Sequence, residues 1–152
     1  MDNSGENWPV LDHLAELARV QDDFAATIPT VDPSTAVPWC GDWTVRDLVL
    51  HLAEVHHWAA AMARSEDVDE LSAADDLQGR YEACAAELRD TLAALDPLAP
   101  ARTLIPDGTV AFWSRRQLHE TLVHLWDLRT AGGLPLTVQS GVWADTWTRR
   151  SR

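Results

Sequence analysis

The sequence predicts an all-α protein, a four-helix bundle, and three observations carry that prediction. Four segments repeat apolar residues at the three- and four-residue spacing of a helix face. Each is bounded by a capping side chain, a proline or a glycine pair. With 152 residues, 46% of them hydrophobic, the chain has enough apolar material for one domain with a substantial core. The expected organisation is one bundle domain over residues 1–152 with no second C-terminal domain, and no internal repeat is visible.

The first segment runs from about Trp8 to Ile28. Asn7 can cap it, Pro9 suits its first turn, and Val10, Leu14, Leu17, Phe24 and Ile28 follow helical spacing until Pro29 stops it. After the loop TVDPSTAVPWCGDW, the second segment starts at Thr44, where TVRD has the form of a capping box with Asp47 in the usual Glu position. Leu48, Leu52, Val55, Ala59 and Met62 mark its inner face out to about Arg64. The third opens with SAAD, Ser72 to Asp75, and repeats Leu77, Tyr81, Cys84, Leu88, Leu92 and Leu95 before Pro97. Around Asp107-Gly108, TLIPDGTVAFW signals a short hairpin or an extended linker. The fourth helix is then expected from about Trp113 to Ala131, ending at Gly132-Gly133, and SGVWADTWTRR forms a short final helix at most.

Composition excludes several functions. Twelve basic residues against 24 acidic ones leave a net charge of −12, which repels nucleic acid and anionic membranes. All basic residues are Arg, so there is no lysine for Schiff-base chemistry. No apolar run is long enough to span a bilayer, and MDNSGENW lacks the features of a signal peptide, so the expected compartment is the cytoplasm. The two cysteines, Cys40 and Cys84, lack metal-ligand spacing and read as free thiols, Cys84 on an apolar stripe and Cys40 in a loop.

The fourth segment carries the chemistry. In RRQLHETLVHLWDL, Glu120 and His124 lie about 40° apart around the helix, with Asp127 about 20° to the other side of Glu120. HETLVH is not the zinc-protease motif, because His119 and His124 are five residues apart. Nor is it the Glu-x-x-His of a di-iron bundle, since Val123 follows Glu120 by three. The second segment contributes His51, flanked by Leu48, Leu52 and Val55 and therefore inward-facing. His57 falls on its opposite side, where Glu54 and His57 read as a solvated surface pair.

His51, Glu120 and His124 thus form an inward set from two helices. Two imidazoles and a carboxylate suit zinc with open positions, nickel or iron(II) being the other metals such donors accept. Asp127, one turn further, is placed to hydrogen-bond a ligating histidine and fix its tautomer. Singly, each residue could be satisfied by ordinary hydrogen bonds, Glu120 for instance by Arg115 or Arg116; together they favour a metal. Arg115 and Arg116 are expected to point away from the Glu120 stripe and to take no direct part. Trp43 and Trp58, close to His51 in sequence, read as packing residues ahead of the alternative that they line a pocket.

Two stretches resemble one family. VPWCGDWTVRDLVLHLAEVHHWAA is similar to the Cys-x-x-Trp-Thr-Val-x-Asp-Leu pattern of the mycothiol-dependent maleylpyruvate isomerases, which leads into a helix bearing a His. FWSRRQLHETLVHLWDL resembles their later His-Glu-x-x-x-His-x-x-Asp segment, and with the helices between them the resemblance covers nearly the whole chain. It implies the DinB-like, metal-binding N-terminal domain of that family, with a divalent metal, usually zinc, on His51, Glu120 and His124. It also implies mycothiol as thiol co-substrate.

In that scheme the metal favours the thiolate at neutral pH. Addition to a double bond, rotation and elimination would isomerise a maleylpyruvate-type substrate, whereas an alkylating substrate would simply receive the thiol. The nucleophile belongs to the thiol, and Cys40 remains a loop residue. Expected partners are a small electrophile and the low-molecular-weight thiol, with a homodimer allowed and neither nucleic acid nor membrane. Two alternatives differ in class: a hydrolase using zinc-bound hydroxide, and a non-catalytic metal-binding helical module.

Overall fold

The computed structural model describes residues 12–72 and 76–136. They form four α-helices, α1 (His13–Thr27), α2 (Val45–Ala63), α3 (Leu77–Ala94) and α4 (Val110–Ala131), with a short 3-10 turn, Ile28–Thr30, after α1. No strand is present among the described residues; two isolated bridges are the only extended pairing. The all-α bundle expected from the sequence is the observed architecture.

The helix starts show where local sequence governs and where it misleads. Thr44 and Asp47 close the capping box reciprocally: the Thr44 N–H donates to Asp47 Oδ2 (3.0 Å) and the Asp47 N–H to Thr44 Oγ1 (3.4 Å). Helix α1 is capped by Asp12, which accepts from the Ala15 N–H at 3.1 Å. The expected cap Asn7 and the turn residue Pro9 lie outside the described residues, as do Asp75 and the SGVWADTWTRR segment. Helix α3 starts later than SAAD suggests. Its cap is Asp76, which accepts from both the Gln78 and Gly79 N–H groups, while Ser72 lies in irregular chain.

Helix α4 starts earlier than expected, at Val110 rather than Trp113. The segment before it is closer to the extended-linker alternative than to a hairpin of regular strands: a single antiparallel Pro100–Thr109 bridge closes it, with Asp107 at a positive φ of 54° making the turn into Gly108. At its far end Gly132 caps and Gly133 follows at φ 66°.

The approaches to α2 and α4 are built alike, each opening on an Asp-Pro pair (Asp32-Pro33, Asp96-Pro97) and entering its helix on Thr-Val (Thr44-Val45, Thr109-Val110). In the first, Asp32 Oδ1 accepts from the Ser34 N–H (2.9 Å), Ala36 bridges Thr44, and the Val45 and Arg46 N–H groups bond to the Thr35 and Pro33 carbonyls (both 2.9 Å). In the second, Asp96 Oδ1 accepts from the Leu98 N–H (2.9 Å) and Pro100 bridges Thr109. The Val110 and Ala111 N–H groups then bond to the Ala99 (3.0 Å) and Pro97 (2.9 Å) carbonyls. Each brace supplies acceptors for first-turn N–H groups that a helix cannot satisfy internally.

Around the bundle α1 packs on α4 and α3, and α2 on α3 and α4, so consecutive helices α1 and α2 face each other across the core. Phe24, Leu48, Leu52, Tyr81, Leu88, Trp113, Leu118 and Leu122 fill the centre and are fully buried. The pair α2 and α4 is antiparallel: His51 meets His124 near one end, and Trp58 meets Trp113 towards the other. The seam between these two helices brings the candidate site residues together.

Candidate metal centre

His51 from α2 and Glu120 and His124 from α4 converge, each offering one ligand atom, and these atoms all lie within 4.8 Å of one another. All three side chains are partly buried and still reach solvent. Periodicity explains the convergence: Glu120 and His124 are successive turns of one stripe, and α2 turns His51 to the same seam. The His51 and His124 rings meet edge to face, centroids 5.5 Å apart, and Trp43 packs on the other side of His51 at 4.9 Å. Trp43 is thus part of the wall of this centre.

Electrostatics tie the residues together. His124 Nε2 donates to Glu120 Oε1 (3.2 Å) and Nδ1 to Asp127 Oδ2 (3.1 Å), so one imidazole spans two carboxylates. Burial disfavours its charge, but the two hydrogen bonds and their negative charges win and lift its pKa to about 9. The same contact draws the Glu120 carboxyl down despite burial, with smaller help from the charges of Arg116 and His51. His51 is pushed the other way, by burial and by the neighbouring His124, and stays a neutral imidazole at neutral pH.

The arrangement suits a divalent metal. A neutral histidine, an ionised carboxylate and a histidine whose second nitrogen is already fixed by a carboxylate are the donor states such an ion requires. In the metal-free protein the His124 Nε2 proton joins two of the prospective donors, and an ion would take its place. Asp127 lies where a tautomer-fixing residue is expected, and nearly buried.

Four residues behave differently from the sequence reading. Cys40 is not simply a loop residue. Burial raises its thiol pKa first, then the Asp127 charge and a hydrogen bond to that carboxylate, so Asp127 serves both His124 and a protonated Cys40. His57 is not in a solvated pair with Glu54. Its Nδ1 contacts Glu87 of α3 at 2.8 Å and its Nε2 the Asp69 carbonyl at 2.7 Å, because the chain between α2 and α3 runs back over this face.

Arg116 does not point away from the Glu120 stripe. It precedes Glu120 by one turn, about 40° around the helix, and its guanidinium carbon lies 5.5 Å over the Trp58 ring and 5.8 Å over Trp113. The fourth is His56, which the sequence reading passed over. It is fully buried among Gln21, Tyr81 and Gln117, and burial drives its pKa down to about 3. Its position, one turn after Leu52 on the inner face, was the available signal.

Residues 14–129 match the family described as the mycothiol maleylpyruvate isomerase N-terminal domain. Two proteins of Mycobacterium tuberculosis, from strains CDC 1551 / Oshkosh and ATCC 25618 / H37Rv and both described as uncharacterized, are each 30% identical over 132 residues. The alignment covers 81% of this chain and 69% of each relative. No solved structure matches the chain significantly. No described helix is long and apolar enough to cross a membrane.

Proposed function

Because the chain belongs to the mycothiol maleylpyruvate isomerase N-terminal domain family, we propose that it is a metal- and thiol-dependent isomerase or S-transferase. His51, Glu120 and His124 would hold a divalent ion, zinc by preference, and mycothiol would be the thiol. The observation that carries this reading is the convergence of two imidazoles and one carboxylate, all partly exposed, at the seam of α2 and α4. Three protein donors leave positions free, as catalytic rather than structural zinc sites do.

The residues divide the work. A divalent ion supplies positive charge that favours the deprotonated form of a nearby thiol. His51 would offer a neutral nitrogen, His124 would do so once its Nε2 proton is displaced, and Glu120 would balance part of the charge. Asp127 accepts from His124 Nδ1 and so aims Nε2 into the seam. Trp43 covers His51 and limits water on that side. Cys40, kept protonated by burial first and then by Asp127, is a poor nucleophile, which leaves that role to the co-substrate. The small electrophile would approach along the seam, and the cytoplasm is the compartment that fits such chemistry.

The test begins with metal content after growth in zinc-supplemented medium, for the wild type and for His51→Ala, Glu120→Ala and His124→Ala. About one zinc per chain is expected, lost in each variant and retained in His57→Ala and His119→Ala. Turnover of a maleylpyruvate-type or alkylating electrophile should then require both zinc and mycothiol. Thiol-independent hydrolysis would replace the proposal with a hydrolase. A zinc-loaded protein inert toward every electrophile tried would leave a binding module.

A further inference from the structure

We infer that Arg116 is a specificity-determining residue of the same seam, a cation held ready for a carboxylate group on the electrophile. This rests on the reading above and adds to it the residue that would recognise the substrate's charge.

Position comes first. Arg116 follows Val110 by six residues as His51 follows Val45, and the braces before the two helices are alike, so both side chains enter from corresponding places. Along α4 it precedes Glu120 by about 6 Å of axial rise, and along α2 Trp58 lies about 10 Å past His51 on nearly the same stripe. The Arg116–Trp58 contact therefore lies on the same α2–α4 seam as the three donors.

How the guanidinium is held comes second. Arg64, Arg89 and Arg102 each pair with a carboxylate. Arg116 forms no ion pair with a carboxylate of the described residues; two indole rings and the Gln117 Oε1, at 2.8 Å, hold it instead. Aromatic stacking fixes a guanidinium plane without neutralising it and leaves N–H edges for a planar anion. In a chain of net charge −12, a local cation is what offsets the general repulsion of an anionic substrate.

The third observation is the buried polar chain behind it. With Gln117 Oε1 accepting from Arg116, Gln117 Nε2 must donate to His56 Nδ1, 3.0 Å away. His56 therefore carries its proton on Nε2, which faces the Tyr81 hydroxyl and the Gln21 amide, each at 3.4 Å. Gln21 Oε1 has no partner in its assigned orientation, and turning that amide over makes it the acceptor for the His56 proton. Every donor then points one way, from Arg116 into the core. Three fully buried polar side chains on α1, α2 and α4 are costly unless they fix something; here Gln117 and His56 are positioning residues for Arg116.

The experiment is calorimetric titration of the zinc-treated and the metal-free protein with succinate and, in parallel, with its uncharged diamide. Wild type is expected to bind succinate and not the diamide. Arg116→Gln should weaken succinate about tenfold or more, Arg116→Lys by less, with zinc content unchanged. Gln117→Leu, which leaves Arg116 but removes its anchor, should fall between wild type and Arg116→Gln. Equal succinate affinity in wild type and Arg116→Gln, or binding of the diamide as tightly as succinate, overturns the inference, as does absence of succinate binding. Failure of the protein to take up zinc would instead count against the metal centre, because the metal-free titration still reports on Arg116.

Discussion

If zinc replaces the proton that joins His124 to Glu120, loading must release that proton, and the structure gives its magnitude. With a His124 pKa of about 9, the ring is about 97% protonated at pH 7.5 in the metal-free protein. Binding at that pH should therefore release about one proton and forgo about 2 kcal/mol of intrinsic affinity, roughly a 30-fold weakening. Apparent affinity should rise about tenfold per pH unit from 6.5 to 8 and level off above about 9. Calorimetry at pH 7.5 in buffers of differing ionisation enthalpy measures the proton count as the slope of heat against that enthalpy.

The perturbation is Asp127→Asn, which removes one of the two carboxylates that raise the histidine. Its pKa should fall towards the ordinary value and the released proton fraction well below one. A wild-type heat independent of buffer would refute the exchange. So would an undiminished slope in Asp127→Asn, which would assign the released proton to another group.

Three further outcomes follow from the same geometry. His56 has a folded pKa near 3, below its ordinary 6.5, so the fold's advantage is complete above pH 6.5 and declines as pH falls. The stability advantage of wild type over His56→Gln in denaturant titrations should shrink by about 1.4 kcal/mol between pH 7.5 and 5.5; an unchanged difference would show that His56 is not held neutral. A Cβ at Gly108 would collide with the Thr103 side chain in the brace before α4, so Gly108→Ala should cost about 1–3 kcal/mol in thermal melts. Thr44→Ala removes the capping-box acceptor and should lower stability by about 1 kcal/mol, with helix content nearly unchanged by circular dichroism.

What could be read in the sequence was local or periodic. The Thr44–Asp47 box lies within four residues, and the stripe of Glu120, His124 and Asp127 needs only the helix repeat. His51 followed from its apolar flanks. Arg116 was legible by the same arithmetic, four residues before Glu120, yet a charged residue beside a second arginine invites a solvent-facing assignment. Other features depend on partners distant in the chain. His56 is buried because Gln21, Tyr81 and Gln117 come from three other helices, and His57 is paired because Glu87 of α3 and the Asp69 carbonyl meet it. Cys40 meets Asp127 only after the loop before α2 folds over the end of α4. The start of α3 was misplaced because Ser72 and Asp76 are both good caps and only packing chooses between them.

The matched braces before α2 and α4 set the rotational phase of each helix, much as a keyway sets a shaft. Each residue added after Thr44 or Thr109 turns everything beyond it by about 100°. A single insertion between Thr44 and His51, or between Thr109 and Glu120, would therefore swing a donor out of the seam while leaving the helix itself intact. Insertions ahead of Asp32 or Asp96 lie upstream of the braces and leave both phases unchanged. Length variation among functional relatives should accordingly gather before the two aspartates and be absent from the six-residue interval that separates each helix's first valine from His51 or Arg116.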